Sequence, residues 1–158
     1  MSSPDNSDLV GGGGGNYFST GAVGKVKTVN LRSGKYIDSI QLVYTTNQVS
    51  EKKGGEGGDP GSFTVDGTPG FHENIVGVDV RYGKYIDNLR FITNNGRATS
   101  FGGDGKDFYE DKGFFRGTYR VEAQNWQFRA PAGTHLVGMQ GRSGKYLDAF
   151  APIWGNNP

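Results

Sequence analysis

Arg142-Ser143-Gly144-Lys145-Tyr146-Leu147-Asp148 has two near copies earlier in the chain. They are Arg32-Ser33-Gly34-Lys35-Tyr36-Ile37-Asp38 and Arg81-Tyr82-Gly83-Lys84-Tyr85-Ile86-Asp87. Arg, Gly, Lys, Tyr and Asp are identical in all three, and the alignment extends upstream without gaps to Val26, Ile75 and Leu136. The spacing is uneven, 49 residues from Gly34 to Gly83 and 61 from Gly83 to Gly144, so the copies carry different inserts. A second feature alternates with the first: glycine turns at Gly11 to Gly15, at Gly54 to Gly58 and at Gly102 to Gly105. Repeats of this kind decide architecture before any local reading does. The order is turn, motif, turn, motif, turn, motif. After Asp148 only Ala149 to Pro158 remain, with no turn. The simplest closure brings the termini together, so that Gly11–Gly15 completes the third unit.

The rest of the chain agrees with a repeat of strands. In 158 residues there are 28 glycines, and aromatics make up 13%. With many β-branched residues and few helix formers, this reads as all-β with tight turns. Ile40, Leu42 and Tyr44 alternate, as do Val76, Val78 and Val80, and Leu89, Phe91 and Thr93. Asn95-Gly96 predicts a type I′ hairpin. Gly117 to Arg129 reads as further strand, and Pro152 suggests that the last strand lies at an edge. Residues 1–8 are expected to be a flexible tail and 9–158 a single domain.

Composition excludes several function classes. Seventeen basic against 16 acidic residues give no reason to expect nucleic acid. No apolar run approaches the roughly 20 residues of a membrane span. No cysteine is present to form a disulfide or thiolate metal site. The N-terminal residues show no secretory pattern, so a cytoplasmic location, or release without a classical signal peptide, is expected. No glycine turn matches a nucleotide-binding loop. His72 and His135 are read as loop or strand residues. The acidic cluster Asp104, Asp107, Glu110 and Asp111 lacks calcium-loop spacing and reads as solvated. No metal or cofactor is expected.

The motif itself suits sugar chemistry. Glycine permits a turn that presents backbone N–H groups, and four residues later a carboxylate offers two acceptors. Neighbouring pyranose hydroxyls complement such a nest, with charge-assisted bonds of roughly 1.5–3 kcal/mol each. Tyr supplies a flat apolar face or packs beneath. For a single copy a plain turn followed by a strand would suffice. Three copies that keep an exposed-type Lys and Asp favour binding. The three motif arginines are read as strand contacts outside the site, and Trp126 and Trp154 as packing.

The Gly-x-x-x-Asp motif, the opposing glycine turn and the threefold repeat, over about Leu9 to Trp154, resemble the jacalin-related lectins. The resemblance implies a β-prism I fold, three antiparallel four-stranded sheets with pseudo-threefold symmetry. It implies a non-catalytic carbohydrate-binding protein without cofactors. In the principal site it places Asp148 on two sugar hydroxyls, backbone N–H groups of Lys145 and Tyr146 beside Gly144, and Gly14 or Gly15 opposite. By the same pairing, Gly34, Lys35, Tyr36 and Asp38 with Gly58 form a second site. Gly83, Lys84, Tyr85 and Asp87 with Gly105 form a third, where Lys106 replaces a final glycine and narrows the site. Ten residues precede Gly11, which resembles the unprocessed mannose-preferring members, so mannose/glucose-type oligosaccharides or glycoproteins are the expected partners. A glycan-targeting module of a toxin or membrane-acting protein is the alternative. Self-association into a homo-oligomer stays open.

Overall fold

A computed structural model describes residues 8–110 and 118–156. Its strands are β1 (Val10–Gly11), β2 (Asn16–Ser19), β3 (Val26–Ser33), β4 (Ile37–Tyr44), β5 (Lys53–Gly54), β6 (Asp59–Thr64) and β7 (Ile75–Tyr82). Then follow β8 (Ile86–Thr93), β9 (Ala98–Gly102), β10 (Lys106–Glu110), β11 (Thr118–Glu122), β12 (Gln124–Arg129), β13 (His135–Ser143) and β14 (Leu147–Gly155). They form three four-stranded antiparallel sheets, ordered β5-β4-β3-β6, β12-β7-β8-β9 and β1-β14-β13-β2. Each motif is the tip of its sheet's central hairpin. Each glycine turn leaves one outer strand and crosses the sheet's end towards the other. The third sheet takes both outer strands from the N-terminus: β1 pairs with β14 and β2 with β13. The chain ends meet as the repeat order requires. Of the expected tail, only Asp8 lies within the described residues, and it is exposed.

The inward faces of the three sheets make one core. Val29, Ile37, Ile40, Val78, Ile86, Leu89, Phe91, Met139 and Leu147 are fully buried in it. Phe18, Phe63 and Phe128 each contribute a ring from an outer strand. Each central hairpin also breaks register at the same two places, which shows the threefold relation in the backbone. Near its open end Lys27, Val76 and Val137 are the extra residues. At the motif, Arg32 pairs with Ser39 and Ser33 with Ile37, which leaves Asp38 without a partner residue. Asp87 and Asp148 are the extra residues in the register of their own hairpins.

Three local expectations are corrected. Asn95-Gly96 does not form a type I′ turn, which needs positive φ at both central residues. Only Gly96 has it, at +84°, and its N–H donates to Thr93 O at 3.0 Å. Asn47, at +70° with its N–H on Tyr44 O, makes the equivalent turn where the chain leaves β4 towards β5. Pro152 lies in β14, an inner strand, not at the sheet edge. It is tolerated because β1 reaches only Ala149 and Phe150, so nothing pairs with that side of Pro152. The stretch 117–129 is two strands rather than one. β10 and β11 pair with each other, Lys106 opposite Glu122, as a hairpin inserted between the glycine turn and β12.

An ion pair between the buried Glu73 and the half-exposed Arg97 ties β6, β8 and the β8–β9 turn together. Glu73 accepts from Arg97 Nε and Nη2, from Thr93 Oγ1 at 2.9 Å and from the Asp66 N–H at 2.6 Å. Bonding to Arg97 holds its carboxyl down at about 2.

Candidate functional site

The register break explains where the aspartates point. A bulge residue is freed from ladder alternation and its side chain is re-aimed. Asp38, Asp87 and Asp148 are all buried at the prism end, beneath the glycine turns. Their carbonyls anchor those turns: Gly55 donates to Asp38 O, Gly103 to Asp87 O and Gly12 to Asp148 O, at 2.8–2.9 Å. The motif tip is also alike in all three. Gly34, Gly83 and Gly144 donate to the carbonyls of Tyr36, Tyr85 and Tyr146 at 2.9–3.0 Å.

In two units the turn and the carboxylate are pressed together. A Cβ added at Gly14 would lie 2.7 Å from Asp148 Oδ2, and one at Gly15 would lie 2.7 Å from Asp148 Oδ1. The matching distances are 2.6 Å from Gly57 to Asp38 Oδ2 and 2.5 Å from Gly58 to Asp38 Oδ1. No L side chain fits between turn and carboxylate. Among the described residues neither carboxylate has a hydrogen-bond donor of its own. Burial raises both Asp38 and Asp148 above the usual carboxylate range. Arg32 and Lys145 oppose this at Asp38, and Arg142 and Lys84 at Asp148.

The motif arginines, read from sequence as strand contacts, hold these turns in place. Arg142 Nε donates to Gly14 O at 3.0 Å and Nη2 to Gly15 O at 2.8 Å. Arg32 Nε reaches Gly57 O at 3.1 Å and Glu56 O at 3.2 Å, and Nη2 reaches Gly58 O at 2.7 Å. With its carbonyls bound from below, a turn is fixed against its aspartate.

The Gly102–Gly105 unit is built differently. Gly105, at φ +73°, matches Gly15 at +69° and Gly58 at +74°. The turn is therefore one residue shorter, and Lys106 does not replace its final glycine but starts the inserted hairpin. A Cβ at Gly105 would meet Ala123 Cβ and Arg81 Nε, not Asp87. Arg81 Nε is buried without a hydrogen-bond partner among the described residues, and Nη1 reaches only Asn125 Oδ1, at 3.4 Å. The short turn brings no carbonyl to this arginine.

The tyrosine rings are not open platforms. Those of Tyr36, Tyr85 and Tyr146 pack on one another with centroids 4.7–4.9 Å apart, where the three sheets meet. Trp126 and Trp154 pack against the core. Of the acidic cluster, Asp111 and the side chains of Asp107 and Glu110 lie outside the described residues. No helix among the described residues is long and apolar enough to cross a membrane.

Known proteins resemble this chain in sequence and in fold. Jacalin-related lectin 19 of Arabidopsis thaliana is 33% identical over 143 residues, 89% of this chain and 74% of that protein. Jacalin-related lectin 3 of the same plant is 30% identical over 89% of this chain, which spans only 22% of that longer protein. In fold, the chain is similar to a mannose-binding lectin from Champedak. Their TM-score is 0.72 at 20% identity, over 98% of this chain and 99% of the other. A family model for the jacalin-like lectin domain matches residues 7–152, and the chain belongs to that family of carbohydrate-binding lectins.

Proposed function

We propose that the chain is a non-catalytic lectin that binds mannose/glucose-type glycans through two complete sites. One site joins Asp148, the 144–146 tip and Gly14–Gly15. The other joins Asp38, the 34–36 tip and Gly57–Gly58. The observation that carries this reading is the pair of buried carboxylates, each held against a glycine turn that an arginine clamps. A desolvated carboxylate without a donor gains most when sugar hydroxyls donate to it. Lys145 and Tyr146, and likewise Lys35 and Tyr36, lie outside the strand ladders, so their backbone N–H groups can face a ligand. The mannose preference draws support from the Champedak lectin of like fold. The Asp87 unit, with a shorter turn and an unclamped arginine, is left out of the binding set.

A single shallow sugar site often binds near millimolar, about −4 kcal/mol. Two sites on one prism end raise avidity by roughly 10²–10⁴ for a glycan that spans them. Glycan-array binding tests the proposal. Asp148→Ala and Asp38→Ala each abolish multivalent binding to mannosylated glycans, and Asp87→Ala leaves it within about twofold. Absence of any neutral-glycan binding by the wild type would refute it. A second reading is a glycan-targeting module of a toxin or membrane-acting protein. Liposome leakage caused by the purified chain would support that reading.

A further inference from the structure

The lysine in each motif is more than the sugar nest needs. Its role there is through backbone groups, which any residue supplies, yet all three copies carry Lys. Each ammonium lies over the ring of the next tyrosine. Lys35 Nζ and Lys84 Nζ are 5.6 Å from the ring centroids of Tyr36 and Tyr85, and Lys145 Nζ is 5.5 Å from that of Tyr146. Because the three rings form a single hub, the three lysines are arranged round it at the prism end. All three lysines are exposed. Exposed cation–π contacts return little, and the ring packing of the hub does not itself call for lysine at its rim.

The same lysines border the two complete nests. The interlock is cyclic. A Cβ at Gly12, in the turn over Asp148, would lie 2.0 Å from Lys84 O, and one at Gly55, in the turn over Asp38, 2.2 Å from Lys145 O. Gly103 meets Lys35 O likewise, at 2.4 Å. The charge of Lys84 acts on Asp148, and that of Lys145 on Asp38. Each nest therefore has a lysine of the neighbouring sheet on its axial side. An anionic group extending from a sugar in either nest meets a cation already in place beside it.

We propose that Lys35, Lys84 and Lys145 form an anion site that takes the sulfate ester or carboxylate of an acidic glycan whose neutral hexose occupies the Asp148 or Asp38 nest. The proposal rests on the carbohydrate reading above and names the wider ligand class for the same sites.

Calorimetry on the full chain tests it with three probes: a trimannoside, the same trimannoside bearing one sulfate ester, and the same bearing one terminal glucuronic acid. The expected result is that at least one acidic probe binds about tenfold or more tightly than the neutral one. This advantage shrinks with added salt. It vanishes in the triple variant K35Q/K84Q/K145Q and survives in K35R/K84R/K145R. The tighter acidic probe identifies the acid group. Equal affinity for acidic and neutral probes would overturn the proposal, as would an acidic preference kept by the glutamine variant. So would dextran sulfate or phosphatidylserine vesicles binding as tightly as the sulfated trimannoside, because the crown would then be a general cationic surface. If the neutral probe fails to bind while the acidic ones bind and lose affinity in the glutamine variant, the mannose reading of the nests fails and the anion site stands.

Discussion

Asp148 and Asp38 carry charge where the fold makes charge costly. Both pKa values are raised by burial, so the fold favours their protonated forms. Their contribution to stability is full below the unfolded value and is lost as pH rises through the folded one. The sugar requires the charged form. Affinity should therefore fall on acidification at a pH above the ordinary aspartate value of 3.8, as a calorimetric pH series would show. Asp148→Asn should raise the melting temperature of the ligand-free protein at neutral pH while it removes sugar binding at that nest. A lower melting temperature would contradict the burial argument. Arg142→Ala should weaken the Asp148 nest about tenfold by releasing two turn carbonyls, with Arg81→Ala much milder. Titration of a mannoside against each variant measures this. The repeated aspartates are legible in the motif, and the bulge that aims them leaves a signal of its own. Large apolar residues are spaced by three at Ile37/Ile40, Ile86/Leu89 and Leu147/Phe150. The arginines could not be read from sequence, because their targets are carbonyls up to 128 residues away.

At the scale of elements, the glycine turns are wedges between sheets. Gly12 and Gly55 each face a lysine carbonyl of the neighbouring sheet at a distance no Cβ permits. Gly55→Ala must push two backbones apart. It should cost about 1–3 kcal/mol in denaturant unfolding and weaken the Asp38 nest as well. Gly14→Ala is the informative contrast. Its φ is not in the left-handed region and its only close neighbour is the Asp148 carboxylate, so binding should fall more than stability. Glu73 tests the pins between strands. Its carboxyl is lowered from 4.5 to about 2, so its stabilisation is complete above the unfolded value and is lost as pH falls towards about 2. Glu73→Gln should cost about 3 kcal/mol at neutral pH and flatten that acid limb of the unfolding profile. Turn identity was only partly legible: Asn-Gly marks a hairpin, but the flanking ladder chooses between turn types. The shortened third turn was misread because a gapless alignment hides a deletion that is followed by an inserted hairpin.

At the scale of the molecule, threefold repetition places three tyrosines, three lysines and three aspartates at one end of the prism. The all-β class, the three sheets and the joining of the chain ends were legible because turn and motif alternate and one turn is missing after Asp148. Lys106 marks the third unit as different, but the cause of this inequality is not legible, because it depends on which carbonyls an arginine can reach. That inequality is the central claim. A crystal soaked in methyl α-D-mannoside tests it directly. The account predicts sugar bound at Asp148 and at Asp38, each touching its glycine turn, and no sugar at Asp87. Sugar at Asp87 with occupancy equal to the others, or sugar bound away from all three turns, would contradict it.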